Sequence, residues 1–550
     1  MSRMSPISAL RIARFGNEEE GSLTIMALFF FICMVMIGGL SLDIMVFENN
    51  RTRLQNLSDR AVLAATAMNQ EGDPEAVVRS YFDKAGMSSN LAGIQVSQGL
   101  VARTVSVQTA QPMRTMFMNM TGVTQLKAQT NSTAVEGMDQ LEVALVLDVS
   151  NSMNQASNVP GMATKLDDMK NAAKRFIDVI YDNADQGTVS VTLIPYNTQV
   201  NAGRDILEAL NVQLDHEQSF CLDFDDTDYG AVAMNTNKAY SQAAHFDQWH
   251  VNEQDPVVTV CRSGSNQEIK LHQSDPEVIK AQIDALTAHG NTSSEIGMKW
   301  AASLLDPSTR GLVQQLSSNG VVPNEMANRP LDYDVDGARK VVILLTDGIN
   351  TEQMRMNNQY KNGMSPVYET VNNGATETFS VNMRSLFNRA SGNRNFWAKA
   401  DCYLGICWGD TWNQTPTLGW VAWQLGFNPN YGQRRLTWQE TWETMNPRHL
   451  AWHYLVDASE NSQDYYDFLD GLWSPVSGAT KDTRLLGMCN DMREESITVY
   501  TIGFEINDHA RDIMGRCASN ANTFIDVTGD DLEETFASIA TSITRLRLTQ

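Results

Sequence analysis

Between residues 23 and 42 the chain carries no charged side chain, and this apolar run stops at Asp43. Its length matches the ~20 residues an α-helix needs to cross a bilayer. Residues 51–67 are rich in Ala and Leu, which predicts that the helix continues beyond the run. From about 95 to 135 apolar and polar residues alternate, as at 104–109 and 125–130, predicting a few strands of a small β module. After 139 short apolar runs separate segments of helical periodicity. They predict strands at 141–147, 188–195, 341–346, 497–504 and 523–527, and helices at 164–182, 276–288, 293–305, 510–518 and about 531–546. Strands that alternate with helices predict an α/β fold: a parallel sheet covered on both faces.

Two long stretches interrupt that alternation, about 201–274 and 350–484. Nine of the eleven tryptophans lie in the second. Tryptophan is enriched at binding hot spots, but an insertion of this length needs a core of its own, and the tryptophans are read first as that core.

Length, charge and cysteines narrow the picture. The 550 residues amount by length alone to roughly three or four domain-sized units. A formal net charge of −24 argues against a nucleic-acid partner, because phosphate binding needs clustered Lys and Arg. The apolar run is longer than the ~7–15-residue core of a signal peptide and no clear Ala-x-Ala site follows it, so a retained membrane anchor is expected. Arg3, Arg11 and Arg14 precede the run and Arg51, Arg53 and Arg60 follow it, which leaves orientation open by charge alone. The cysteines break the tie. Cys33 lies in the run, whereas Cys221, Cys261, Cys402, Cys407, Cys489 and Cys517 all follow it, an even set suited to an oxidising compartment outside the cytoplasm. Local closure, Cys489 with Cys517 and Cys221 with Cys261, is the simplest of the ~15 connectivities that six cysteines allow. Cys402 and Cys407 have no second pair nearby, so a zinc knuckle is not expected.

The most informative chemistry is the triplet Asp148, Ser150 and Ser152 at the end of the run 141–147. An acid and two hydroxyls spaced by two can turn toward one centre and form a hard oxygen set for Mg²⁺ or Mn²⁺. One carboxylate is too little charge for such an ion, so further ligands must come from elsewhere. Thr292 follows Gly290 and Asn291 at the start of a predicted helix, and Asp347 ends the strand at 340–346 before Gly348. All of them stand where ligand sites of open α/β sheets form, at strand ends or in loops leading into helices. Together, the DxSxS triplet, the Thr in a Gly-containing loop and the Asp of a Thr-Asp-Gly turn resemble the metal-ion-dependent adhesion site of von Willebrand factor A domains. That resemblance implies a Rossmann-like sheet flanked by helices. It also implies a divalent cation held by Asp148, Ser150, Ser152, Thr292 and Asp347, with Mg²⁺ first and Mn²⁺ or Ca²⁺ as alternatives. A coordination position is left for a partner's carboxylate, and the domain binds without acting as an enzyme.

The N-terminal segment carries a second resemblance. Gly21, Ser22, Leu23 and Thr24, the apolar span, Asp43, then Leu54, Gln55, Asn56 and Asp59 before Ala61 resemble the start of TadG-like proteins of tight-adherence (Tad/Flp) pilus systems, in which an A domain follows. The division this implies is a Tad-like segment at 1–72, a membrane-proximal β-rich module at 73–138, and an A domain with its two insertions at 139–550. The expected location is the bacterial inner membrane, single-pass, with a cytoplasmic N-terminus and the bulk in the periplasm. The expected role is pilus assembly, adherence and biofilm, with other pilus-assembly proteins as partners. Two other functions stay open: a surface adhesin whose insertions form the binding face, and an A-domain subunit of an ATPase-associated complex. Glu20 stands before Gly21, where prepilins carry a basic residue, and Met26 where they carry Glu, so prepilin-peptidase processing is not expected.

Three lesser patterns carry less weight. Asp332, Asp334, Asp336 and Gly337 match the start of a calcium loop, but Ile343 replaces its bidentate acid, which favours a solvated acidic loop. The dense acids Asp223, Asp225, Asp226 and Asp228 are read the same way. His449 and His453 stand one helical turn apart as in zinc proteases, yet Leu450 occupies the place of the general base and excludes that chemistry. No Gly-rich phosphate loop and no nucleophile elbow is visible. The orientation has a direct check: alkaline phosphatase fused after residue 140 should be active in intact cells, and activity from a cytoplasm-only reporter at that position contradicts it.

Overall fold

The computed structural model describes residues 20–66, 73–98, 102–137, 140–158, 162–182, 187–335, 338–372, 375–383, 396–398, 401–403, 406–408, 411–413, 431–527 and 531–543. The chain forms two compact units, residues 1–138 with 545–550, and residues 139–544.

The first unit is built on one helix, α1 (Glu20–Thr66), of 47 residues. Its first half is bare: Leu23, Phe29, Phe31 and Ile37 are all more than half exposed. This is a helix long and apolar enough to cross a membrane. Its second half is a core element. Leu57, Ala61, Val62 and Ala65 pack against Val78 and Phe82 of α2 (Pro74–Lys84) and against a three-stranded antiparallel sheet. That sheet consists of β1 (Leu91–Gln98), β2 (Ala102–Arg114) and β3 (Gln125–Gly137). The expected continuation of the helix and the expected β module therefore share one hydrophobic core. The helix supplies the face that a three-stranded sheet needs in order to be stable alone.

The second unit holds a six-stranded sheet. Its strands in chain order are β4 (Leu141–Asp148), β5 (Val189–Tyr196), β6 (Lys270–Gln273), β7 (Arg339–Thr346), β8 (Thr498–Phe504) and β9 (Phe524–Val527). Across the sheet they run β9-β8-β7-β4-β5-β6, all parallel except β6 at one edge. Every residue of β4 and β5 is buried, as expected of central strands covered on both faces. One helix layer includes α3 (Lys165–Asp182), which packs on α4 (Pro276–Ala285) and on α9 (Leu532–Ile543), where Phe176 meets Phe536 edge to face. Against β4, β5 and β7 lies α5 (Ser294–Leu305), buried along its whole length and backed by α7 (Gly478–Glu494). Gly297 lets α5 sit this close, since a Cβ there would lie 2.7 Å from Val146 Cγ1. Shorter elements complete the layers: α6 (Arg310–Ser318) after α5, and α8 (Asp508–Cys517) after β8.

Three features depart from the sequence reading. The antiparallel edge strand β6 falls inside the first interrupting stretch, about 201–274. The helix α7, which begins inside the second, belongs to the layer over the sheet. The two insertions also share a core, in which Ala244, Phe246 and Val260 of the first join Met356, Val367, Leu436, Leu450 and Leu472 of the second. Trp438, Trp442 and Trp473 lie in that core at 6%, 1% and 5% exposure, and Trp452 is 39% exposed. The side chains of Trp397, Trp408, Trp412, Trp420 and Trp423 lie outside the described residues, as do those of Cys402 and Cys407.

Two disulfides join Cys221 to Cys261 and Cys489 to Cys517, with Cα atoms 5.8 and 5.1 Å apart. The second ties α7 to α8 beside β8. Replacing Cys489 and Cys517 together by Ser should lower stability by roughly 3–4 kcal/mol, the value expected for releasing a loop of about this size. Urea unfolding of parent and variant under non-reducing conditions checks this, and equal midpoints contradict it.

Candidate functional site

Strand order reverses between β4 and β7, the point at which open α/β sheets have their ligand crevice, at the carboxyl edge. Register sets what emerges into it. Asp148 ends β4 level with Tyr196 of β5, and Leu147 is level with Leu345 of β7. The Asp148 carboxylate is fully buried and accepts from three donors. Its Oδ1 accepts from the Ser150 amide at 2.8 Å, and its Oδ2 accepts from the Thr346 hydroxyl at 2.7 Å and, more weakly, from the Tyr196 hydroxyl at 3.4 Å.

The chain then turns through Ser150 into a short 3₁₀ turn, Asn151–Asn154. Spacing by two brings the Ser150 and Ser152 hydroxyls to 3.0 Å from each other. Ser152 Oγ donates to Asp347 Oδ1 at 2.6 Å, joining the turn after β4 to the turn after β7. Four of the five residues singled out by sequence thus form one hydrogen-bonded chain.

Thr292 is carried to the same edge by its backbone but takes no part in that chain. The Asn151 amide donates to Gly290 O at 3.0 Å and the His289 amide to Val149 O at 2.9 Å, which fastens the Thr292 loop to the turn after β4. Gly290 has a φ of +78°, and a Cβ there would lie 2.7 Å from Thr198 Oγ1, so both backbone and space call for glycine. On its far side the loop is braced by α7 and by the start of the second insertion. Lys481 donates to Ser293 Oγ at 2.5 Å, while Asn350 accepts from the Ser294 amide at 2.8 Å and donates to Asp482 at 2.9 Å. Burial pushes the Lys481 ammonium down to about 8, opposed by the charge of nearby Glu295, and burial raises the Glu295 carboxyl.

Electrostatics at the crevice are unbalanced toward negative charge. Burial, and then the charge of Asp347, push the Asp148 carboxyl up to about 7. Two residues that sequence reasoning missed complete the arrangement. Lys165, the first residue of α3 and almost wholly buried, places Nζ 3.4 Å from Asp347 Oδ2 and 3.4 Å from Glu505 Oε2. Glu505 directly follows β8, as Asp347 follows β7, and has a left-handed φ of +54°. A signal for Glu505 was present, because an acid placed just beyond a parallel strand lands on the ligand-binding edge. Nothing in spacing or type singled out Lys165.

The lesser patterns resolve structurally. Among the described residues no three or more of His, Cys, Asp and Glu are grouped to hold a metal ion. This does not bear on the crevice set, which offers only two carboxylates alongside its hydroxyls. Asp223, Asp225, Asp226 and Asp228 are ion-pair partners: Asp223 of Lys361, Asp225 of Arg355, Asp226 of Arg484 and Asp228 of Lys238. Three of those cations belong to the second insertion or α7, so the acidic stretch fastens the first insertion to them. Asp332 pairs with Arg310 at 2.8 Å, and Asp336 and Gly337 lie outside the described residues. The His449 and His453 rings meet at a tilt of 36° with centroids 4.5 Å apart, and His449 Nδ1 lies 3.1 Å from Val251 O.

No curated protein matches the chain. Solved structures with partial likeness include the pilus adhesin SpaC from Lactobacillus rhamnosus GG, at 11% identity over 82% of this chain and 34% of that one, TM-score 0.27. This chain thus spans about a third of SpaC. Others are the vWF domain of the type V pili tip protein Mfa5 from Porphyromonas gingivalis and the adhesive tip pilin GBS104 from Group B Streptococcus agalactiae. The first shares 13% identity over 74% of this chain and 95% of that one, TM-score 0.29. The second shares 12% over 73% and 98%, TM-score 0.31. At these scores the likeness carries no argument. The family match is more specific: residues 21–69, which take in both the bare and the packed half of α1, match the family described as putative Flp pilus-assembly TadE/G-like.

Proposed function

We propose that residues 139–544 form a von Willebrand factor A domain that binds a divalent cation in the crevice and, through it, a carboxylate of a protein partner, without catalysing a reaction. The observation that carries this reading is the hydrogen-bonded convergence of Asp148, Ser150, Ser152 and Asp347 where the strand order reverses. The donor set fits such an ion. Two carboxylates and three hydroxyls, counting Thr292, are hard oxygen ligands, and Lys165, shared between Asp347 and Glu505, leaves the buried acids short of the positive charge that an ion would supply. Mg²⁺ is the first candidate, with Mn²⁺ and Ca²⁺ as alternatives. When bound, the ion would act as a Lewis acid toward an incoming carboxylate.

The chain's own residues have separable tasks. Asp148 and Asp347 supply charge, Ser150 and Ser152 fill positions between them, and the loop braced by Lys481 and Asn350 holds Thr292 in reach. Lys165 serves as the resident counter-charge of Asp347 until an ion replaces it. The TadE/G-like segment with its long apolar helix supports the wider reading: a single-pass envelope protein that works with other components in assembling tight-adherence pili.

Calorimetry tests the site. Asp148→Ala or Asp347→Ala should weaken Mg²⁺ or Mn²⁺ binding by about 100-fold or more, since outer-shell groups alone are worth ~10–100-fold. Ser150→Ala should be milder, because a hydroxyl offers a dipole where a carboxylate offers a full charge. Unchanged binding in Asp148→Ala removes the metal from the account, and normal adherence despite lost binding detaches it from pilus function. Lys165→Met should separate the two cations. In EDTA it should destabilise the protein by roughly 3 kcal/mol, because buried carboxylates lose their partner, and Mg²⁺ should restore most of that. Urea midpoints that are equal with and without Mg²⁺ contradict the role given to Lys165.

A further inference from the structure

The turn between β2 and β3 meets α1 at a level inside the apolar run. The Asp43 carboxylate, 5% exposed, accepts the backbone amides of Met116, Phe117 and Met118 at 3.0, 2.8 and 2.8 Å. These bonds satisfy an acid at the end of the run and clamp the turn to the helix. One helical turn further back, the Phe117 ring lies against Gly39, where an added Cβ would be 2.3 Å from a ring carbon. Gly39 lies three residues before the end of the run, about 4–5 Å along the helix axis. A bilayer that covers the run therefore has to meet the turn.

The composition of the turn suits that position. From Thr115 to Thr124 it carries no charged residue, and Arg114 and Lys127 flank it on the two strands. Met116 is 81% exposed, Met120 66% and Val123 38%, an apolar tip facing away from the core of the unit. Apolar side chains between flanking cations are the pattern of segments that seat ~5–10 Å into the headgroup and acyl boundary. Packing within the unit does not account for the exposed methionines.

We propose that the β2–β3 turn is a second membrane contact, with Met116, Met120 and Val123 seated in the leaflet that α1 crosses. The helix alone would leave the unit free to swivel about its axis. A second contact through the clamp at Asp43 fixes how the β module stands on the bilayer. The proposal rests on the reading of α1 as a membrane anchor.

The test uses the full chain in phospholipid vesicles, in a Cys33→Ser background, with an environment-sensitive fluorophore on Met120→Cys. Met116→Cys serves as a second site, Leu28→Cys reports the span and Ser89→Cys the exposed surface. The signal of the identically treated Cys33→Ser parent is subtracted. Nitroxide lipids should quench the probes at Leu28 and Met120, and aqueous iodide should quench only the probe at Ser89. If Leu28 is quenched by lipid but Met120 and Met116 by iodide, the turn lies in water, available to a protein partner instead, and the proposal falls while the anchor stands. If Leu28 is also quenched by iodide, the anchor reading falls and the proposal with it.

Discussion

Two buried carboxylates at the carboxyl edge of one sheet set the conditions for the rest of the second unit. Asp148 and Asp347 sit where taking negative charge out of water is costly, and the surrounding structure is arranged to make that tolerable. Thr346, Tyr196 and the Ser150 amide donate to Asp148, Ser152 donates to Asp347, and Lys165 stands across from it. Those groups come from four places in the chain: the turn after β4, the ends of β5 and β7, and the start of α3. The edge can be assembled only if the strand register, the turn after β4 and the first turn of α3 all form together.

The insertions contribute to the same end. They do not hang from the sheet as separate bodies. Their shared core and the ion pairs of Asp223, Asp225 and Asp226 join them to each other and to α7, while the Cys221–Cys261 disulfide closes the first insertion on itself. From α7, Lys481 and Asp482 reach back to the loop of Thr292 through Ser293 and Asn350. A change in how the insertions pack would therefore be felt at that loop first, since its conformation depends on Lys481 and on the glycine at 290.

The elements of the sheet were legible because central parallel strands are apolar throughout and their helices keep a 3.6-residue period, so β4, β5, β7 and β8 start and stop close to where the pattern places them. Strand β6 was not. Lys270, Leu271, His272 and Gln273 form no apolar run, and the strand exists because it pairs with β5 at the edge, with buried His272 held by Ser190 and Leu304 O. The shared core of the insertions was equally hidden, because it joins segments separated by about a hundred residues. At the site, side chains with a characteristic spacing could be read. Those that act through position alone, Lys165 and Glu505, could not be weighed without the fold. In the first unit the apolar run announced itself, whereas the clamp between Asp43 and three backbone amides has no sequence signature.

The central claim is that the crevice between β4 and β7 takes a divalent cation in place of the Lys165 counter-charge. Crystals of the protein grown with Mn²⁺ and measured for anomalous scattering test it directly. The account predicts one strong peak among Asp148, Ser150, Ser152 and Asp347, with the Lys165 ammonium withdrawn from Asp347. A featureless crevice, with Lys165 still against Asp347 at saturating Mn²⁺, would contradict it.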